Sequence, residues 1–222
     1  MVKKRIDPAK SIIFFDFDNT ITKFDVIDDM LERFSSDDKW LALEKEWKAG
    51  KIGSRKCLDG QIRGMRVTRK ELDRYLRTIK LDPSFKKILK LCKSKNIKNI
   101  ILSDNFRYII SRILKNNGIS GLDVYCNSLR VGNGKLTPAF PYPGKRCGNC
   151  AHCKTSNLIA NIGKSTAAVY VGDGLSDLCP SRRADLVFAK STLKKRLKAE
   201  KVPHIPFDSL EDVYKYLERK NK

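Results

Sequence analysis

Short apolar runs alternate with amphipathic stretches along most of the chain. Four runs rich in Ile, Val and Phe have the length and composition of buried strands; they are Ile12–Phe15, Ile97–Leu102, Ala167–Val171 and Asp185–Phe188. In the stretches between them apolar residues recur at helical spacing, as in Phe85–Cys92, Tyr108–Leu114, Leu158–Ile162 and Leu210–Leu217. This alternation predicts an α/β fold with a parallel sheet.

Two regions depart from the alternation. Residues 23–81 have a helical pattern and no strong strand, which predicts a helical cap inserted after the first strand. Two β-prone runs flank Gly132-Asn133-Gly134, which predicts a β-hairpin before residue 140. We therefore expect a discontinuous core of residues 1–22 and 82–222 and a cap of residues 23–81.

Composition narrows the class of protein. The 222 residues are 41% hydrophobic and 32% charged, which is typical of a globular chain with room for one domain and a modest insert. No apolar run approaches the roughly 20 residues that a membrane-spanning helix needs. The basic start of the chain lacks the long apolar region of a signal peptide, so we expect a cytoplasmic protein with no membrane partner.

The chain is strongly basic. It has 46 Lys and Arg against 25 Asp and Glu, a formal charge of +21. The lysines are spread along the chain, and in Lys86–Lys98 they lie opposite an apolar helical stripe. We interpret them as solvated faces whose field attracts small phosphorylated anions. A basic nucleic-acid-binding protein without catalysis is the alternative.

An acidic pair follows the first predicted strand. Asp16 and Asp18 are two residues apart in Phe14-Phe15-Asp16-Phe17-Asp18-Asn19-Thr20, so strand alternation predicts that they point the same way. In open α/β sheets the carboxyl ends of the strands face the ligand crevice. Two carboxylates held there repel each other unless a cation lies between them or one is protonated. Either outcome suits catalysis, although capping or turn aspartates would give the same pattern.

Further polar groups follow other predicted strands. Asp173 and Asp177 lie in Gly172-Asp-Gly-Leu-Ser-Asp177, and their hard oxygens suit Mg²⁺ better than zinc. Ser103 ends the strand that begins near Ile97 and can bind phosphate oxygens, as can the free amides beyond it. Lys154 precedes a helical stretch, where a cation can neutralise phosphoryl charge.

Taken in order, these segments resemble the four motifs of the haloacid dehalogenase superfamily of phosphotransferases. The cap and the hairpin resemble those of its phosphoserine phosphatase-like subgroup. The resemblance implies a Rossmann-like core and a Mg²⁺-dependent phosphatase that acts through an aspartyl-phosphate. By position in the motifs it implies that Asp16 is the nucleophile and Asp18 the acid and base. It implies that Asp16, Asp18, Asp173 and Asp177 hold the metal, and that Thr20, Ser103, Asp104 and Lys154 bind phosphate.

Within that subgroup the chain is most similar to methionine-salvage phosphatase-like proteins, through Asp16–Asp25, Leu81–Phe85, Gly172–Pro180 and Ala184–Lys190. Those act on a phosphorylated keto-enol sugar derivative. Phosphatases for phosphoserine, phosphocholine, phosphoethanolamine or pyridoxal phosphate stay as alternatives. The chain has Asp25 and Ser103-Asp104-Asn105 where phosphoserine phosphatases have glutamate and Ser-Gly-Gly. Substrate selection is expected from the cap, and the candidate residues are Asp25, Arg55, Gln61, Arg63 and Arg66.

Three of the seven cysteines form a regular cluster, Cys147, Cys150 and Cys153. Zinc sites use such spacing but need a fourth ligand, here Cys126, Cys179 or His152. Loop packing is the interpretation we favour, with a structural metal or redox sensing as alternatives. We expect a monomer or homodimer. A phosphonate-cleaving relative fits less well, because Lys48, Lys51 and Lys56 have no context for a Schiff-base lysine.

Overall fold

The computed structural model describes residues 10–144, 148–163 and 166–220. Its strands are β1 (Ser11–Phe15), β2 (Lys98–Phe106), β3 (Asp123–Gly132), β4 (Lys135–Ala139), β5 (Ala167–Gly172), β6 (Leu186–Ala189) and β7 (Ile205–Pro206). Its helices are α1 (Val26–Phe34), α2 (Lys39–Lys48), α3 (Ser54–Gly64), α4 (Arg69–Thr78), α5 (Pro83–Ser94), α6 (Arg107–Asn116), α7 (Lys154–Asn161), α8 (Leu178–Ser181), α9 (Ser191–Ala199) and α10 (Leu210–Lys220). None of these helices is long and apolar enough to span a membrane.

The seven strands form one sheet in the order β4-β3-β2-β1-β5-β6-β7. All neighbours are parallel except the hairpin partners β3 and β4, so the predicted α/β class is confirmed. Strand β1 is central and buried along its whole length, as the run Ser11-Ile-Ile-Phe-Phe15 requires. Its carboxyl end therefore opens between the ends of β2 and β5.

The predicted hairpin is present, with one difference. The single strand β3 pairs parallel with β2 through its first residues and antiparallel with β4 through Ser128–Gly132. Asn133 and Gly134 both have positive φ, which the tight turn between β3 and β4 requires. The two-residue strand β7 was not predicted, because a run that short carries no periodic signal.

Four helices lie between β1 and α5. The buried faces of α1, α3 and α4 join the main core, and α2 packs against it through the partly buried Trp40. Helix α1 has its buried stripe at Val26, Ile27, Met30 and Leu31, which is amphipathic spacing. Asp25 caps this helix by accepting hydrogen bonds from the amides of Ile27 and Asp28. The hairpin and the helices touch where Val67 N donates to the carbonyl of Gly134. These contacts hold the four helices over the carboxyl end of the sheet.

Candidate active site

Three charged side chains from separate segments meet at the carboxyl end of β1. Asp16 is the first residue after β1, and its amide still donates to the carbonyl of Val171 in β5. The ammonium of Lys154, the first residue of α7, lies 2.6 Å from Asp16 Oδ1 and 2.7 Å from Asp177 Oδ1. All three side chains are nearly inaccessible to solvent. Burial opposes the charge on Lys154, but the two carboxylates outweigh it and hold the lysine pKa well above its usual range.

Both carboxylate oxygens of Asp177 accept hydrogen bonds. Its Oδ1 also accepts a hydrogen bond from Tyr170 Oη at 2.7 Å, and its Oδ2 accepts from the amides of Asp173 and Gly174. This close approach depends on Gly172, because a Cβ there would lie 2.6 Å from Asp177 Oδ2. The glycine therefore allows the carboxylate to pack against the turn that follows β5.

Carboxylates of three residues lie close enough to share one cation. Ligand oxygens of Asp16, Asp173 and Asp177 are all within 4.8 Å of one another, the one such group in the described residues. Burial and the charge of Asp177 raise the pKa of Asp16 well above its usual range, and the same two causes raise the pKa of Asp173 to about 7. The raised pKa values mean that these carboxylates ionise less readily unless a positive charge lies near them. Their hard oxygen atoms are ligands of the kind that Mg²⁺ prefers, so the cluster fits this ion.

Asp18 lies in the loop after β1 and not in the strand, because β1 ends at Phe15. The loop turn, and not strand alternation, brings Asp18 to the cavity that Asp16 lines. Its Oδ1 accepts from Val26 N at 3.0 Å, and Asn105 Nδ2 faces both of its oxygens. Burial, followed by the charge of Asp25, raises the pKa of Asp18 well above its usual range.

Ser103 and Asp104 line the same cavity from β2. Ser103 is buried, and its Oγ accepts the amide of Asn105 at 3.0 Å. Burial raises the pKa of Asp104 to about 6, and its Oδ1 has no hydrogen-bond partner among the described residues. The hydroxyl and the carboxyl group thus remain available on the cavity wall.

The loop after β1 is organised by Thr22. Its Oγ1 accepts the amide of Asn19 and lies within hydrogen-bond distance of the carbonyls of Phe17 and Phe24. Thr20, the residue expected at the phosphate, is buried with its Oγ1 unpartnered in the described part of the chain. Thr20 does not line the cavity, so the structure does not bring it to the other expected phosphate ligands.

The helices close the other side of a cavity of about 150 Å³. Three carboxylates face it there, from Asp25, Asp28 and Glu44, together with the indole of Trp47. Partial burial, then Asp25 and Glu44, raise the pKa of Asp28 to about 7. Glu44 is also paired with Lys48, one turn along α2. In the described residues Lys154 is the sole basic side chain on the cavity wall, which makes the wall strongly acidic.

The structure does not bring the three candidate arginines to this cavity. Arg63 pairs with Asp59 on the surface of α3, and Arg66 donates to the carbonyls of Arg63 and Met65. Arg55 lies over the ring of Phe140 in a separate open groove. For Arg55 and Arg63 the α3 periodicity explains this, because Cys57, Leu58 and Gln61 form the face that lines the cavity. Arg66 follows the end of α3.

The cysteine loop runs directly into Lys154. Cys147 lies outside the described residues, so the expectation of a three-thiol cluster stays a prediction. Cys150 and Cys153 are half-buried, and Cys153 Sγ lies 3.0 Å from Ser156 Oγ. His152 between them is buried, with Nε2 2.9 Å from Asn157 Nδ2. This hydrogen bond ties the loop to α7.

Some site residues were missed by sequence reasoning. In the sequence, Tyr170 is indistinguishable from the other apolar positions of a buried strand. Only the structure shows that its hydroxyl donates a hydrogen bond to Asp177. Trp47, Asp28 and Glu44 belong to helices whose placement over the sheet depends on distant contacts. Asn105 carried a signal, since it departs from the Ser-Gly-Gly pattern.

Comparison with known proteins agrees with this geometry. Residues 11–202 match the family model described as Putative Phosphatase. The 2-hydroxy-3-keto-5-methylthiopentenyl-1-phosphate phosphatase of Brevibacillus brevis is 25% identical over 95% of this chain and 96% of its own. The enzyme of that name from Geobacillus thermodenitrificans is 26% identical over 94% and 96%.

Solved structures show the same fold. A substrate-bound phosphoserine phosphatase complex superposes with a TM-score of 0.70 at 20% identity, over 93% of this chain and 98% of that one. A phospho-aspartyl intermediate analogue of phosphoserine phosphatase gives a TM-score of 0.70 at 22% identity, with the same coverage. The chain therefore belongs to the Putative Phosphatase family, within the haloacid dehalogenase-like phosphatases, and is a phosphoric monoester hydrolase.

Proposed function

We propose that the protein is a Mg²⁺-dependent phosphatase of a small phosphorylated metabolite that works through an aspartyl-phosphate at Asp16. The observation that carries the proposal is the buried cluster in which Lys154 contacts Asp16 while Asp16, Asp173 and Asp177 can share one cation. The four catalytic motifs expected from the sequence support it, as do relatives named as metabolite phosphatases.

In the first half-reaction an oxygen of Asp16 attacks phosphorus, and the bond from phosphorus to the alcohol oxygen breaks. Lys154 lies beside the attacking oxygen, where its charge stabilises the transferring phosphoryl group, and Ser103 binds a phosphoryl oxygen. Asp18 gives its proton to the leaving oxygen, so the product departs as an alcohol.

In the second half-reaction the ionised Asp18 takes a proton from water as that water attacks phosphorus. The bond from Asp16 to phosphorus breaks, inorganic phosphate leaves, and both aspartates return to their starting states. The metal would be held by Asp16, Asp173, the main-chain carbonyl of Asp18 and, in support, Asp177. When bound, it screens the nucleophile from the phosphoryl oxygens.

The side of the cavity formed by the helices between β1 and α5 supports a second candidate substrate class. The keto-enol ester of the relatives' names carries no positive charge, whereas Asp25, Asp28 and Glu44 surround the space for the leaving group and Trp47 adds an aromatic face. Carboxylates and an indole favour a small cationic alcohol through charge and cation–π attraction. They favour phosphoethanolamine or phosphocholine over phosphoserine, whose carboxylate they would repel.

A phosphate-release assay of the purified protein tests the main proposal. We expect hydrolysis of p-nitrophenyl phosphate with Mg²⁺ and its loss in a chelator. Asp16→Asn is expected to lower kcat by at least about 10³-fold and to stay folded, because Lys154 keeps its contact with Asp177. Near-normal turnover by this variant would disprove the nucleophile assignment.

The second candidate is tested with two esters of similar size, phosphoethanolamine and propyl phosphate. Asp28→Asn is expected to lower kcat/KM for the cationic ester about 3- to 10-fold and to leave that for the neutral ester unchanged. Asp59→Asn on the outer surface of α3 is the matched control. Preference of the native enzyme for the methylthiopentenyl ester over both amino-alcohol esters would reject the cationic class.

A further inference from the structure

We propose that Asn105 is a positioning residue that holds the Asp18 carboxyl group in the orientation that proton exchange with the leaving group requires. The inference rests on the proposed role of Asp18 as acid and base. It adds a residue whose side chain acts through Asp18 and not on the phosphoryl group. The argument begins with the two partners of the Asn105 amide.

The orientation of that amide is set by what surrounds it. Asn105 Oδ1 accepts the amide hydrogen of Phe106 at 2.6 Å, and that group can only donate. Asn105 Nδ2 lies 3.1 Å from Asp18 Oδ1 and 3.0 Å from Asp18 Oδ2. A flipped amide would place an oxygen against the Asp18 carboxylate and an NH₂ group against an amide hydrogen. The side chain therefore presents its NH₂ group to Asp18.

The backbone that carries Asn105 is held firmly. Its side chain is 2% exposed, and its own amide donates to Ser103 Oγ at 3.0 Å. Next to it, Asn127 Nδ2 donates to the carbonyl of Asp104 at 2.6 Å. The pairing register of β2 with β3 shifts between Leu102 and Phe106, so this segment leaves the regular ladder. The irregularity turns Asn105 toward Asp18 and these hydrogen bonds fix it there.

The donors divide the two oxygens of Asp18 unequally. Oδ1 accepts from both Val26 N and Asn105 Nδ2, whereas Oδ2 has Asn105 Nδ2 alone. These donors hold the carboxyl group in one orientation. When the bond from phosphorus to the alcohol oxygen breaks, its electron pair stays on that oxygen, which takes the proton of the Asp18 carboxyl group. Asp18 is left as a carboxylate to which Asn105 donates.

A change of leaving group separates positioning from a general structural role. Without a well-oriented acid, hydrolysis of propyl phosphate slows because the leaving group departs as an alkoxide. Hydrolysis of p-nitrophenyl phosphate is less affected, because p-nitrophenolate leaves without a proton. For Asn105→Ala we expect the ratio of kcat/KM for propyl phosphate to that for p-nitrophenyl phosphate to fall about 10- to 100-fold. The ratio is informative because kcat/KM covers the steps through alcohol release, and effects on phosphate binding cancel.

Asn105→Asp is the second variant, because it preserves the size and the acceptor for Phe106 while replacing the NH₂ group with oxygen. We expect the same selective fall. Asn117→Ala is the matched control, since it removes a side-chain amide that donates to the carbonyls of Ile79 and Ile113 and does not contact Asp18; it is expected to leave the ratio unchanged. A native ratio in folded Asn105→Asp, or in Asn105→Ala, would overturn the inference.

Asp18→Asn separates this inference from the proposed function. A fall in the ratio for Asp18→Asn, with no fall for the Asn105 variants, would overturn the positioning role and leave Asp18 as the acid. Equal losses on both esters in Asp18→Asn would instead remove Asp18 from proton transfer, and the proposed function would fail at that step.

Discussion

His152 is buried beside Lys154, with a hydrogen bond at one of its ring nitrogens. Nε2 lies near Asn157, and Nδ1 has no partner among the described residues. Burial, followed by the charge of Lys154, lowers the pKa of His152 to about 3. The native protein therefore holds this imidazole neutral at pH values where the unfolded chain protonates it.

The sign of the resulting pH effect follows directly. Between about pH 6.5 and pH 3 the unfolded state binds the extra proton, so the free energy of unfolding falls as the pH falls. We expect His152 to account for about 2 kcal/mol of stability lost by pH 5. Urea unfolding at pH 7 and pH 5 should show that, on going to pH 5, the free energy of unfolding of the native protein falls by about 2 kcal/mol relative to that of His152→Gln. His204→Gln is the matched control, and an equal pH effect in native and His152→Gln proteins would contradict the prediction.

Short motifs in the sequence singled out three residues that the structure brings together at the carboxyl end of β1. Asp16, Asp173 and Lys154 each follow or begin an element in a short motif, so local sequence carries their placement. Asp28 and Trp47 carry no such motif, because a charged or aromatic residue on a helix is equally compatible with a solvated or packed face. Their role depends on how the helix packs over the sheet.

At the scale of elements, the loop before α7 is docked on the start of α3. Arg55 N donates to the carbonyl of Asn149, and Ala151 N donates to Ser54 Oγ at 2.9 Å. Gly53 makes this contact possible, because a Cβ there would lie 2.4 Å from the Asn149 carbonyl oxygen. The same loop ends at Lys154, so a displacement at α3 is transmitted to the lysine that contacts Asp16.

We therefore expect Gly53→Ala to destabilise the protein by about 1–3 kcal/mol and to lower kcat/KM for p-nitrophenyl phosphate. Gly64→Ala, at the other end of the same helix, is the matched control. Its Cβ would meet nothing within 4 Å, so activity and stability should be retained. Thermal unfolding and steady-state kinetics of the two variants check this. Native behaviour of Gly53→Ala would mean that the loop does not depend on this close contact.

Element types were easier to predict from sequence than their junctions. The strands β1, β5 and β6 are nearly continuous apolar runs, and runs of this kind indicate buried parallel strands. The contact between Gly53 and Asn149 joins residues far apart in the chain, and neither residue type signals it. We predicted that the arginines contact the substrate because of their charge. In the structure, the residues of α3 that line the cavity are small or neutral.

At the scale of the whole molecule, the net charge of the chain and the charge of the cavity lining have opposite signs. The chain has a formal charge of +21, yet seven carboxylates and one lysine line the cavity in its described part. The outer field attracts anions, whereas the acidic interior repels phosphate, and the proposed Mg²⁺ would offset that repulsion. This contrast explains why net charge alone, which also suggests nucleic acid binding, says little about the site.

The acidic interior predicts that metal binding and pH are linked. The raised pKa values of Asp16 and Asp173 mean that the native metal-free protein keeps protons that the unfolded chain releases near pH 4. The contribution of these two aspartates to the stability should therefore fall as the pH rises from about 4 to 7, and a bound divalent cation should offset that loss. We expect Mg²⁺ to raise the melting temperature more at about pH 8 than at about pH 5.5.

Differential scanning fluorimetry with Mg²⁺ or with a chelator measures this shift. Asp173→Asn is expected to reduce the Mg²⁺ effect at both pH values, because it removes a ligand oxygen charge. An Asp185→Asn variant, whose carboxylate accepts from Ala168 N away from the cavity, is the matched control. Equal Mg²⁺ shifts at both pH values would argue against competition between protons and metal.

The central position of β1 matters while the ribosome makes the chain. Strand β1 emerges early, but its neighbour β5 is not present until residue 172 has been added. Until then one edge of a largely apolar strand is unpaired, a condition that favours wrong association of nascent chains. Asp16, the proposed nucleophile, is synthesised well before Lys154 and Asp177, so a chain terminated before residue 154 contains Asp16 without the lysine and the carboxylate that complete its cluster.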